Sequence, residues 1–476
     1  MPIKKYIANK DTTITDAYKY DLFTRAENAN MGAADSLEIF SIYGQASNTS
    51  LEKSRILVQF PITDIIADRA NTKIPESGSV KFYLKLYNVE HSFSVPRDFT
   101  VTVNPLNQEW DEGYGLDMEA YSDDGWNQYT AGAGSTWLYA TSGSAWTGSN
   151  GGSFLTGSSY TLTQNFSSGL EDLEVDITQI VESWINSAIE NHGFIVKLSG
   201  SFEDGTQKTS FYTKKFSARG TQYFFKKPSI EARWAAVVTD DRNNFFASSS
   251  AFSDSDNIMN LYFFNKPRGI SKNIVGNILP GVKFYSNSNL TNEISSSYKV
   301  ITNPSAGVYK VQVAIDTTAS VVYDKWYNTG SLVNYFSSSF DVLQPESYDY
   351  DYEAENIFNI TNMKVSYSPK ETARFKIFSR KKDWSPTIYS VANNIVENDI
   401  INNLYYKIFR LSDNYLVLDY STGSIAFSKT SYDSVGNYFD LDMSLLESGY
   451  TYGFKFATYD GVTLKELPQT FKFKVE

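Results

Sequence analysis

Asp176-Ile177-Thr178-Gln179-Ile180-Val181-Glu182-Ser183-Trp184-Ile185, running on to Asn191-His192-Gly193-Phe194, is the stretch on which the fold turns. Asp176 stands where a helix N-cap belongs, with Gln179 three residues later, the spacing of a capping box. Ile177, Ile180, Val181, Trp184, Ile185 and Ala188 fall at the spacings of one buried helical face. Gly193 occupies a position where a left-handed residue stops a helix. His192, at the end of that helix, reads as a residue whose charge the dipole favours. Strand patterns lie on both sides, so the stretch predicts a single capped helix inserted into an otherwise all-β chain.

Outward from it, Val80, Phe82, Leu84 and Leu86 alternate with Lys81 and Lys85. Phe99, Val101 and Val103 alternate with threonines, and Arg55–Phe60 and Gly193–Leu198 keep the same period of two. Ile56, Val58 and Phe60 are expected to face a core. Strands of this kind separated by turn-rich loops indicate a sandwich or jelly roll. Residues 131–169 differ. Gly and Ser dominate, but Trp137, Trp146, Phe154 and Tyr160 are interleaved, which predicts long loops or a hairpin with aromatic anchors rather than a linker.

The chain has 476 residues, enough for two to four domains. It has no cysteine, so disulfides and zinc–thiolate sites are excluded, and only two histidines, His91 and His192. No apolar run reaches the length of a membrane span, and Met1-Pro2-Ile3-Lys4-Lys5-Tyr6 lacks an apolar signal core, which predicts cytosolic synthesis. A net charge of −12 argues against a nucleic-acid partner. Boundaries are expected after Trp234 and within Glu346–Glu355, an acidic, tyrosine-rich stretch, giving units 1–235, 236–346 and 347–476. In the last two, Gly307-x-Tyr309-x-Val311-x-Val313 and Gly449-x-x-Tyr452-x-Phe454-x-Phe456 suggest tyrosine corners of immunoglobulin-like sandwiches.

Several stretches taken in order resemble a DNRLRE-type domain, a jelly-roll module of surface and carbohydrate-associated proteins. They are Thr15–Tyr18, Asn30–Ile39, Ser54–Pro61, the strand at 80–87, Asn107–Gly113, Thr136-Trp137, the start of the 176–184 helix, His192–Val196 and Phe211–Phe216. The resemblance covers the first 235 residues and implies Trp137 as a core plug. The chain departs from the pattern at Lys214-Lys215, where acids are usual. The whole chain, cysteine-free, acidic and rich in Asn, Ser and Tyr, also resembles bacteriophage virion proteins. The fold class expected is therefore all-β: an N-terminal jelly-roll sandwich with one inserted helix, followed by two immunoglobulin-like β-sandwich domains.

Three clusters are candidate sites. Glu109, Asp111, Glu112 and Asp117, with Glu119, Asp123 and Asp124, crowd one loop; this is a solvated acidic loop or, alternatively, a calcium site. Trp126, Trp137 and Trp146 are core or protein-contact residues or, alternatively, a platform for a sugar face. Lys208, Lys214, Lys215 and Arg219, with Lys226 and Lys227, form a basic interface patch or a solvated face. No nucleophile elbow, phosphate loop, zinc-binding His-Glu-x-x-His or dinucleotide fingerprint is present. The expectation is a non-enzymatic virion protein of a tailed phage, in the neck, tail, baseplate or a head fibre. It would contact other virion proteins and further copies of itself in a symmetric assembly, with no cofactor other than calcium and no membrane partner. The alternative is a carbohydrate-binding or receptor-contacting fibre or adhesin protein.

Overall fold

The computed structural model describes all residues except 1, 92–94, 117–133, 142, 277, 345–355 and 383–397, and for 211–212 the backbone alone. The chain is all-β in character and divides into two compact units, Ile3–Trp234 and Ala235–Glu476.

In the first unit two antiparallel sheets enclose one core. The four-stranded sheet runs in the order Ile3–Ile7, Ser229–Arg233, Lys81–Leu86, Leu173–Asp176. The seven-stranded sheet runs Phe211–Ser217, Ser36–Tyr43, Leu51–Gln59, Phe194–Leu198, Phe99–Pro105, Leu162–Phe166, and Lys10–Thr15 also pairs with Leu51–Gln59. Period-two alternation delivers Val80, Phe82, Leu84 and Leu86 from one sheet to meet Ile56, Val58, Val101, Val103, Phe194 and Val196 from the other. Each such side chain contributes about 1.5–3 kcal/mol on burial.

The helix Thr178–Ile185 lies on this core as expected, with Ile180, Val181 and Trp184 buried and the Trp184 ring 4.8 Å from that of Phe194. Its ends differ from the sequence reading. The cap residue is Ile177, without a side-chain cap bond; Asp176 instead accepts from the Thr178 N–H at 2.9 Å and pairs with Lys81 at 3.1 Å. The helix stops at Ile185, capped at Asn186, so Ala188 is outside it. Gly193 does have a positive φ of 85°, but it serves the entry to strand Phe194–Leu198, where an added Cβ would lie 2.2 Å from the Val58 carbonyl oxygen. His192 is therefore no helix terminus; its ring meets Glu190 at 3.1 Å. Nor is the helix single. Ile62–Ala70 is a second one, tied to the first by a bidentate Arg69–Glu182 pair at 2.6 and 2.7 Å, and Gly200–Glu203 is a short third.

The second unit holds two sets of sheets. In residues 245–343 a five-stranded sheet (Phe245–Phe246, Asn334–Leu343, Val321–Tyr327, Gly281–Tyr285, Glu293–Ile294) faces a three-stranded one (Met259–Phe264, Val308–Ile315, Ser296–Ser305). Trp326, Leu261, Val311 and Val322 are fully buried between them. In residues 356–475 the sheets are Asn356–Ile360, Thr372–Lys381, Gly436–Asp442, Ser431–Asp433 and Ser366–Tyr367, Phe471–Val475, Thr451–Tyr459, Leu404–Arg410, Leu416–Leu418, with Leu464–Glu466 also paired to Thr451–Tyr459. Their core is aromatic: Phe375 lies 4.8 Å from Phe454, Phe454 4.6 Å from Phe473, and Tyr406 4.2 Å from Phe439. The junction expected at 346–355 falls outside the described residues.

The two tyrosines singled out in the sequence behave differently. The Tyr452 hydroxyl accepts from the Glu447 N–H and donates to the Glu447 carbonyl, each at 3.0 Å, closing the corner a few residues upstream. Tyr309 closes no such corner; its hydroxyl accepts from the N–H of Ile274, 35 residues away. A further link joins the two sheet sets. Thr239 forms a parallel bridge with Tyr432, Asp240 N–H donates to the Tyr432 carbonyl at 3.1 Å, and the Tyr432 hydroxyl donates to Asp241 at 2.9 Å.

Candidate functional site

The run Ile56-Leu57-Val58 and the run Phe194-Ile195-Val196 are apolar without interruption, which signals strands covered on both faces. On the outer face Leu57, Ile195 and Ile14 meet Leu106, Trp110, Trp137, Ala140 and Trp146. The Gly/Ser-rich segment is thus a cover over the sheet, and the tryptophans are its anchors. Trp137 and Trp146 are each 5% exposed. The Trp146 indole donates to the Thr136 carbonyl at 2.8 Å, and Arg55 stacks 4.8 Å above the Trp137 ring. Neither presents a flat face to solvent: both are core residues, the first of the two readings, and these two do not form the alternative sugar platform. Trp126 lies outside the described residues.

The acidic loop is organised by a residue that sequence reasoning passed over. Asn30, 4% exposed, uses its whole amide: Oδ1 accepts from the N–H groups of Gly32 and Gly115, each at 3.0 Å, and Nδ2 donates to the carbonyls of Glu112 at 2.9 Å and Ser135 at 2.8 Å. The chain passes so close that a Cβ on Gly115 would sit 1.6 Å from the Asn30 carbonyl oxygen. The available signal was the pair of glycines flanking Tyr114 together with an Asn before a glycine turn. Glu112 is held by Arg219, Nη2 to Oε2 at 2.7 Å, and also accepts from the Asp11 N–H at 2.9 Å. Glu109 and Asp111 are exposed, and Asp117 is outside the described residues. Among the described residues no group of three or more His, Asp or Glu is placed to hold a metal ion. Glu112 is thus a structural anchor, tied to Arg219 and to the Asp11 backbone.

The basic patch disperses for a simple reason: neighbours on a strand point to opposite faces. Lys214 is 1% exposed and donates to Asn88 Oδ1, the Gly169 carbonyl and the Glu171 carbonyl at 2.5, 2.9 and 2.8 Å. Burial pushes its pKa down to about 8. Lys215 pairs with Glu38 on the other face, Arg219 with Glu112, and Lys208 lies exposed near the Tyr43 ring. The four do not form one surface. His91 sits apart from the loop cluster, its pKa lowered by burial and then by Lys215.

A different element stands out by its exposed apolar side chains. Residues 17–26 form a hairpin, with the Ala26 N–H on the Ala17 carbonyl at 2.7 Å and a Tyr18–Arg25 bridge. Asp21 closes its tip by accepting from the N–H groups of Phe23 and Thr24 at 2.8 and 2.9 Å and from the Thr24 hydroxyl at 2.8 Å. Those bonds hold the Asp21 carboxyl below its usual range. Arg25 stacks 4.4 Å from the Tyr18 ring and donates to the Leu51 carbonyl, bracing the stem. The tip presents Tyr20 and Phe23 at 103% and 90% exposure, with Leu22 between them. Exposed aromatic side chains are frequent anchors of protein interfaces.

No family model matches the chain, and no curated protein matches it. Among solved structures it is similar to the adhesin InvE of Yersinia pseudotuberculosis, with 9% identity over 45% of this chain and 54% of that one and a TM-score of 0.15. It is also similar to the IG1+IG2 segment of DIP-gamma, with 11% identity over 46% and 87% and a TM-score of 0.13. A third similarity is to dimeric latent PorU from Porphyromonas gingivalis, with 11% identity over 83% and 34% and a TM-score of 0.16. The chain spans about half the length of the adhesin, 54%. At these TM-scores the likeness does not extend to a shared overall fold.

Proposed function

We propose that the chain is a non-enzymatic structural protein of a tailed-phage virion, made in the host cytoplasm and acting through protein–protein contacts. In this reading the first unit is a jelly roll of the DNRLRE type. The second is a pair of immunoglobulin-like sandwiches that act as spacers or further contacts. Strand order supports the sandwich assignment. In both sheet sets a short early strand, Phe245–Phe246 or Ser366–Tyr367, adds parallel to the last strand, and the last set reproduces the two-sheet order of such domains, with Tyr452 at its corner.

The observation that carries the functional reading is the Asp21-closed tip with Tyr20 and Phe23 in solvent. The Asp21 bonds fix the turn backbone, so docking costs little backbone ordering entropy. Two of the three tryptophans of the glycan alternative, Trp137 and Trp146, are buried in the core. Mass spectrometry of purified particles tests the proposal. The protein is expected at a copy number set by three-, five-, six- or twelve-fold symmetry. The double variant Tyr20→Ala/Phe23→Ala is expected to keep its melting temperature and to be lost from particles. Recovery of the protein only as an intracellular monomer, never with particles, overturns it.

A further inference from the structure

We infer that residues 265–276, with Ile278 and Leu279, dock peripherally on an anionic phospholipid surface. In this acidic chain, of net charge −12, no Asp or Glu occurs from Asn257 to Asn292. Within that span Lys266, Arg268 and Lys272 are all exposed. Lys283 pairs with Glu293 at 2.8 Å, whereas none of these three pairs with a carboxylate among the described residues. Beside them Ile270, Val275, Ile278 and Leu279 are 60%, 93%, 42% and 44% exposed. Four aliphatic side chains with three unneutralised cations, on a protein that is otherwise acidic, form a local composition opposite to that of the chain around it.

The loop is held in shape. Ile274 is buried, and its N–H donates to the Tyr309 hydroxyl at 2.7 Å. Asn265 Nδ2 donates to the Lys272 carbonyl at 2.7 Å, and Asn273 Oδ1 accepts from the Gly307 N–H at 2.8 Å. With the backbone pinned at Asn265, Asn273 and Ile274, the exposed side chains include four aliphatic and three basic ones and no carboxylate. Protein hot spots favour Trp, Tyr and Arg and under-represent Leu and Val. Aliphatic tips flanked by Lys and Arg instead match a bilayer interface, where burial of apolar area and attraction to anionic lipid add. No transmembrane segment is required, and among the described residues no helix is long and apolar enough to be one. The inference stands independently of the virion reading.

Flotation of the full chain with phosphatidylcholine vesicles, with and without phosphatidylglycerol, tests it, with light scattering on the same samples. Binding is expected only with phosphatidylglycerol and is expected to weaken as salt rises. Lys266→Gln/Arg268→Gln/Lys272→Gln is expected to reduce it on the order of a hundredfold. Val275→Ser/Ile278→Ser/Leu279→Ser is expected to abolish it. Should the aliphatic variant fold poorly, the charge variant and the salt titration decide alone, since those side chains are in solvent. No flotation with anionic vesicles, or flotation that the charge variant leaves unchanged, overturns the proposal. Loss of self-association in the variants without vesicle binding also overturns it, in favour of a second copy of the chain.

Discussion

Asn30 and Asp11 show how far single side chains organise the first unit. Asn30→Ala strips acceptors from the Gly32 and Gly115 N–H groups and donors from the Glu112 and Ser135 carbonyls. With about 1–3 kcal/mol for each buried group left unpaired, chemical denaturation is expected to show a loss of several kcal/mol. Asp11 is 1% exposed, and burial, reinforced by Glu112 and opposed by Arg219, pushes its pKa up to about 7 from 3.8. Its folded value is above its unfolded one, so the folded state binds the proton more tightly. The stability it contributes is full below the unfolded value and is lost as pH rises through about 7. Glu231 has the opposite sign. Burial works against its charge, yet Lys5 and Arg233 hold it down to about 2, so its contribution is lost as pH falls through that value. The expected outcome is a melting temperature that declines as pH rises from 3.8 to about 7 and that Asp11→Asn flattens; a decline of unchanged slope in the variant refutes the assignment to Asp11.

The elements divide into those whose burial pattern is written in the order of side chains and those set by partners distant in sequence. Strands such as Lys81–Leu86 and Phe99–Pro105 were legible because period two is a local signal. The helix around Trp184 was legible in its buried face and not in its ends. Asp176 had Lys81 and Thr178 to bind, and Asn186, not Gly193, marks the stop. Ile62–Ala70 was missed because only Ile65 and Asp68 are buried, too few to make a stripe. Tyr309 was misread because it sits on Val308–Ile315, one strand earlier in its sandwich than Tyr452 is in its own, so no local corner is within reach. Lys214 and Lys215 looked like one patch because sequence adjacency hides the alternation of faces. Two tests belong to this scale. Trp184→Ala is expected to cost about 3–5 kcal/mol, the range for truncating a large buried aromatic. Tyr452→Phe, which leaves the Glu447 N–H and carbonyl unpaired, is expected to cost about 1–3 kcal/mol.

For the molecule as a whole, two separations in sequence matter most. The segment at Val238–Asp241 bonds Ser431 and Tyr432, nearly the length of the second unit away. Proteolytic cleavage within the acidic stretch 346–355, the expected boundary between the two sheet sets, is therefore expected to leave two fragments that co-elute under native conditions and part only in denaturant. Fragments that separate natively would show that these bonds do not hold the two sheet sets together. In the first unit, Ile3 lies opposite Arg233 and Ile7 opposite Ser229 on neighbouring antiparallel strands. The chain thus enters and leaves that unit side by side. A module with adjoining ends can be spliced into a surface loop of a host protein, duplicated in tandem, or circularly permuted with new ends at an exposed turn, without either end having to cross the fold. The first unit is accordingly a portable part, suited to recombination between otherwise unrelated chains.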